Sequence, residues 1–141
     1  MGMVYAEVTL KNVKDEGLAQ NGLIKPEDIR IATVSAVVDT GSMNLVITEE
    51  LFQKLGLAVR GEKVALVANG QRVNCKMTEA IEVQWKNRFM ILPAMVIPGA
   101  QKVLLGAIAL EGMDLMVNPV TQELVGVHGD IEEHMALQSA S

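Results

Sequence analysis

Residues 34–47 read Val-Ser-Ala-Val-Val-Asp-Thr-Gly-Ser-Met-Asn-Leu-Val-Ile and deliver one carboxylate, that of Asp39, to a turn of small residues, Thr40, Gly41 and Ser42. An acid at the end of an apolar run is costly unless it is paired, so a chain that places one there has a use for it. Asp39 is alone in this respect: no second Asp-Thr-Gly or Asp-Ser-Gly occurs in the 141 residues. Chemistry that needs two such groups must therefore take the other from a second copy of the chain. The plainer reading is a turn acid that caps neighbouring N–H groups, a role Asp fills in turns generally.

Other chemistries fit worse. An Asp-x-Asp phosphotransferase needs an acid where Gly41 stands, and no glycine-rich phosphate loop is present. The two histidines, His128 and His134, fall in a polar C-terminal stretch with Glu132 and Glu133. That position suits neither a Ser–His–Asp hydrolase nor a metal site, and no cofactor or metal is expected.

Composition narrows the classes further. Half of the residues are hydrophobic, aromatics are only 3%, and the formal net charge is −5. The core must be aliphatic, and the apolar excess points to a buried subunit interface. With Tyr5, Phe52, Trp85 and Phe89 as the only rings, base stacking has little to work with. The negative charge also disfavours binding to nucleic acid or anionic membranes. A single cysteine, Cys75, excludes an intrachain disulfide. The first residues lack a basic region followed by an apolar core, and no apolar run reaches the roughly 18 residues of a membrane span. A cytoplasmic location is expected.

The elements that must position Asp39 read as short strands punctuated by turns. Strands are predicted over 3–10 and 29–38, with a polar loop at 11–28 between them, and Leu45-Val46-Ile47 leaves the motif as another strand. Thr48 predicts the N-cap of a helix over 49–55, with Glu49 and Glu50 in the first turn and Gly56 just past the end. Residues 63–77 predict a hairpin with a two-residue Asn69-Gly70 type I′ turn. A second hairpin turns at Lys86-Asn87, and 94–97 reads as a further strand. Val103-Leu104-Leu105 leads to Gly106 and a short helix over 107–112. Strands follow at 115–117 and 123–127. Residues 1–127 read as one domain and 128–141 as a polar C-terminal tail.

Three of these segments occur in a telling order: Val37-Val38-Asp39-Thr40-Gly41-Ser42, then Ala68-Asn69-Gly70, then Val103-Leu104-Leu105-Gly106. Together they resemble the retropepsin-like aspartic proteases, most closely the small bacterial single-domain type, over roughly residues 4–127. The resemblance implies an all-β fold: a closed acid-protease barrel with one or two short helices, one lobe per chain, acting as a homodimer. It implies an aspartic endopeptidase in which the two Asp39 side chains meet on a two-fold axis, share one proton and activate a water. Thr40 would hydrogen-bond across the dimer, Gly41 would turn its N–H to the carboxylates, and Ser42 would bond the outer carboxylate oxygen. Ala68, Asn69 and Gly70 would form a flap over a peptide or protein substrate, and Leu104, Leu105 and Gly106 would wall the cleft. Many retroviral members carry a paired acid and arginine where this chain has Met43 and Ala107. The alternative expectation is a catalytically inactive module of the same fold that binds peptides or dimerises.

Overall fold

A computed structural model describes residues 3–67 and 69–128. Alternation builds the first strand. In β1 (Val4–Asn12) Ala6, Val8, Leu10 and Asn12 face inward and are buried, whereas Tyr5 and Glu7 face solvent. β1 pairs antiparallel with β2 (Ile31–Val38), from Val4 opposite Val38 to Lys11 opposite Ile31. Between them the expected loop instead contains a helix, α1 (Val13–Gln20), and a short 3-10 turn at Pro26–Asp28. This helix escapes a periodicity reading because it has no apolar stripe; the only residue it buries is Asp15. Asn12 caps its N-terminus by accepting the Asp15 N–H at 3.0 Å, and donates to the Leu55 carbonyl at 2.7 Å. Tertiary bonds hold α1 in place of amphipathic packing.

The chain continues through β3 (Leu45–Ile47), α2 (Glu49–Lys54), β4 (Val59–Leu66), β5 (Arg72–Trp85) and β6 (Arg88–Val96). Thr48 caps α2 as expected, its hydroxyl accepting from the Leu51 N–H at 3.2 Å. The β4–β5 hairpin differs from expectation. Its last pairing is Val67 with Gln71, whose carbonyl accepts from the Val67 N–H at 3.0 Å. Three residues therefore close the loop, not two. Gly70 supplies the left-handed position at φ 84 and donates to the Val67 carbonyl at 2.9 Å. Ala68 lies outside the described residues.

The strand that returns from the Lys86-Asn87 turn and the strand predicted at 94–97 are one strand, β6, that runs through Pro93. Proline breaks a ladder only where its missing N–H is needed. Here the register of β5 against β6 slips between Met77 and Ala80, and Pro93 faces Ala80. The next N–H, from Ala94, is taken by the Thr78 hydroxyl at 3.0 Å. β7 (Val103–Leu105), α3 (Ala107–Gly112), β8 (Leu115–Asn118) and β9 (Glu123–Gly126) complete the described chain. It has three α-helices where one or two were expected.

The main sheet runs β1-β2-β7-β3-β6-β5-β4, and β1 also pairs with β5. Six strands thus close into a barrel, with β4 outside it on the free edge of β5. The fold is all-β in character. Two parallel contacts matter for the site: β2 against β7, with Val38 beside Leu105, and β3 against β6. The barrel is filled by aliphatic side chains such as Leu10, Leu45, Ile47, Ile81 and Leu105, none of them measurably exposed. A smaller cluster of Val46, Cys75 and Met95 joins the β4–β5 hairpin to the site through Val73 and Leu104.

Candidate active site

Asp39 is placed by backbone pairing. Its N–H donates to the Leu105 carbonyl at 3.0 Å, which extends the β2–β7 ladder by one residue before the chain turns away. The turn closes on itself. The Ser42 N–H donates to the Asp39 carbonyl at 3.2 Å, and the Gly41 N–H donates to the Asp39 carboxylate oxygen Oδ1 at 3.1 Å. The second carboxylate oxygen has no hydrogen-bond partner among the described residues. Asp39 is half-buried, and Thr40 and Gly41 are exposed. The carboxylate is thus fixed at its base and open at its tip.

Gly106 holds the turn from below. A methyl group there would lie 2.5 Å from the Asn44 carbonyl oxygen and 2.6 Å from that of Ser42, so only glycine fits. This is a demand for space rather than for an unusual dihedral, since Gly106 sits at φ −92 in extended backbone. The close approach has a second effect. The Ala107 N–H donates to the Ser42 carbonyl at 2.7 Å and the Ile108 N–H to the Met43 carbonyl at 3.2 Å. These two donors open α3, which has no side-chain N-cap, and the turn after Asp39 satisfies them. Sequence reading missed Met43 and Asn44 in this role. The available signal was a glycine before a short helix with no Ser, Thr, Asp or Asn to cap it.

Gly41 is less confined. A methyl group on it would meet Asp39 Oδ1 at 3.4 Å, an ordinary contact, so within one chain its role is to offer its N–H. Thr40 and Ser42 make no side-chain hydrogen bond to Asp39 within the chain. Thr40 opens onto a groove of about 570 Å³ that Val4, Leu110 and Met116 also line.

The structure therefore brings Asp39, Thr40, Gly41 and Ser42 together with Leu104, Leu105 and Gly106. Leu104 is half-buried and reaches the Val46–Cys75–Met95 cluster, while Leu105 and Gly106 are buried. Asn69 and Gly70 lie apart, exposed at the hairpin tip, where Asn69 Oδ1 accepts the Gln71 N–H at 3.0 Å. Burial pushes the Cys75 thiol up, which leaves it unreactive. His128 Nδ1 lies within hydrogen-bond distance, 2.8 Å, of an Asp114 carboxylate oxygen, and His134 falls outside the described residues. No helix of the described residues is long and apolar enough to cross a membrane.

Comparison with known families is consistent with this geometry. A family model described as aspartyl protease matches residues 25–127, which spans the Asp39 turn, the hairpin and the Gly106 segment. No curated protein matches the chain.

Proposed function

Because the chain belongs to the retropepsin-like aspartyl protease family, we propose that it is an aspartic endopeptidase whose active site is completed by a second copy. One observation carries the reading: a carboxylate held at its base, with one oxygen free of partners among the described residues, at the mouth of a turn that admits only glycine behind it. A dyad forms when the Asp39 side chain of each copy faces its mate across a two-fold axis. Two carboxyls roughly 3 Å apart share one proton, and the titration belongs to the pair. The ionised member accepts a proton from the water between them, and that water attacks the scissile carbonyl carbon. The protonated member donates to the carbonyl oxygen as the centre becomes tetrahedral. Return of a proton to the amide nitrogen breaks the C–N bond and frees two peptides.

In this reading the β4–β5 hairpin is the flap. Its β4 strand lies outside the closed barrel, Ala65 and Val73 anchor the hairpin to the Val46–Cys75–Met95 cluster, and its exposed tip at Asn69 and Gly70 would cover an extended peptide. The substrate would add its backbone to the cleft as a strand does. The test is incubation of the purified protein with a mixed peptide library from acid to neutral pH, with a pepstatin-type inhibitor in parallel. New termini that the inhibitor suppresses are expected. Their absence at every pH favours the reading as a peptide-binding module.

A further inference from the structure

β4 is the free edge of the main sheet: among the described residues it pairs with β5 and with no other strand. The Val67 N–H donates to the Gln71 carbonyl, so these two residues form a hydrogen-bonded pair. An antiparallel ladder alternates such pairs with pairs whose backbone groups point outward. Leu66 stands opposite Arg72, Val64 opposite Asn74 and Glu62 opposite Lys76. The N–H and C=O groups of Glu62, Val64 and Leu66 therefore face away from β5, where a further strand would bond them. The Val64 and Leu66 side chains beside them are 58% and 72% exposed. By the alternation of a strand these three side chains share one face of β4, and Lys63 lies on the other.

Charge selects the occupant, because this hairpin is basic in an acidic chain. The whole sequence has 12 Lys and Arg against 17 Asp and Glu, whereas residues 59–77 hold Arg60, Lys63, Arg72 and Lys76 against Glu62 alone. Lys76 pairs with Glu49 at 3.2 Å. Arg60, Lys63 and Arg72 are exposed and have no ion pair among the described residues. Charge on an edge strand guards it against its own copy, since two such hairpins meet with the same net sign. The same charge favours a strand of opposite sign. We propose that the β4 edge is a docking site for an extended acidic peptide segment, which adds as a strand along Glu62, Val64 and Leu66. The segment that fits alternates apolar residues with acids. Its carboxylates lie on the Lys63 face and toward Arg60, and its apolar side chains lie beside Val64 and Leu66. A neutral residue stands opposite Glu62, because like charges across a ladder repel. Docking at this edge goes beyond the cleavage reading and needs no dyad.

Fluorescence anisotropy of a short fluorescein-labelled peptide that alternates valine and glutamate, titrated with the Asp39→Asn protein, tests this apart from cleavage. Saturable binding is expected, and lysine in place of glutamate should weaken it at least about tenfold. N-methylation at the valines and, in a second peptide, at the glutamates blocks one edge of the added strand each. One of the two should lose about tenfold or more and the other should stay within about threefold. Val64→Pro removes an outward N–H and leaves the β4–β5 bonds in place, and Arg60→Glu together with Lys63→Glu reverses the charge of the edge. Each change should weaken binding at least about tenfold. The charge reversal alters exposed side chains only, so it decides the matter should the proline unfold the hairpin. No binding, equal binding of the glutamate and lysine peptides, or binding indifferent to the hairpin variants overturns the docking site. A chain that docks the peptide as stated, and whose unsubstituted form cuts no peptide, upholds the edge and removes the protease reading. Cleavage by a chain that fails to dock the peptide does the reverse.

Discussion

Two carboxylates stand at the two ends of β2. Asp15 reaches the start of the strand from α1 and is 3% exposed. It accepts Arg30 Nε at 2.9 Å on one oxygen and Nη2 at 3.0 Å on the other, and the Arg30 N–H adds a third bond at 2.9 Å. The side-chain bonds from Arg30 hold the Asp15 carboxyl below the usual range, against the opposing effect of burial. Asp39 follows the last residue of the same strand. It receives one bond, from the Gly41 N–H of its own turn, and keeps an oxygen open. The difference separates two uses of one residue type. A carboxylate with both oxygens engaged by one arginine is committed to the fold, where it fastens α1 to β2. One that is fixed by its backbone and bonded at a single oxygen is available to water, to a substrate or to a twin.

Crossed substitutions can break that comparison. Asp39→Asn should reduce peptide cleavage by roughly 10²–10⁴-fold or more while changing stability by no more than about 0.5 kcal/mol. Initial rates and a urea titration read the two effects, and undiminished cleavage would remove Asp39 from the chemistry. Gly106→Ala comes next. Its methyl group must displace the carbonyls of Ser42 and Asn44, which should cost about 3 kcal/mol and lower cleavage by the folded fraction too. A variant with an unchanged melting temperature would show that the turn is not held from below.

Arg30→Met should give the opposite pattern to Asp39→Asn. It strips the side-chain donors from a buried carboxylate and should destabilise the fold by about 2–3 kcal/mol, with cleavage per folded molecule unchanged. The smallest effect is its pH dependence. A carboxyl held low in the folded chain contributes stability above its unfolded value, near roughly pH 3.9. That contribution is lost as the pH falls through the lowered folded value. The stability gap between the parent and Arg30→Met should therefore be full at neutral pH and narrow in acid. Urea titrations at several pH values measure it, and a gap that widens in acid would mean that Arg30 does not hold Asp15 charged.

Much of the fold was legible because one-sided burial writes a period of two into a strand. β1 and the second half of β5 follow from that rule, whereas the short runs 45–47 and 103–105 were legible as unbroken apolar segments. Thr48 was legible because a cap is a local bond over three residues. Helix α1 was not, because its stability comes from Asn12, Asp15 and Arg30 meeting across the barrel's edge. The continuity of β6 through Pro93 was not either, since it depends on a slip in the strand opposite. For the site, the Asp39 turn and Gly106 were both visible as motifs. The resemblance implied that the two segments, more than sixty residues apart in number, lie side by side; what could not be read was the pair of backbone bonds that joins them, made to carbonyls that carry no side-chain signature.

By itself the sequence determined that one acid ends an apolar strand, that a glycine ends another, and that the core between them is aliphatic, because burial patterns and residue chemistry are local properties. Only the tertiary structure decided that β2 and β7 lie parallel, that the turn after Asp39 caps α3, and that one oxygen of the carboxylate stays open. Those outcomes depend on which backbone groups find each other, and every residue carries the same backbone N–H and C=O whatever its side chain.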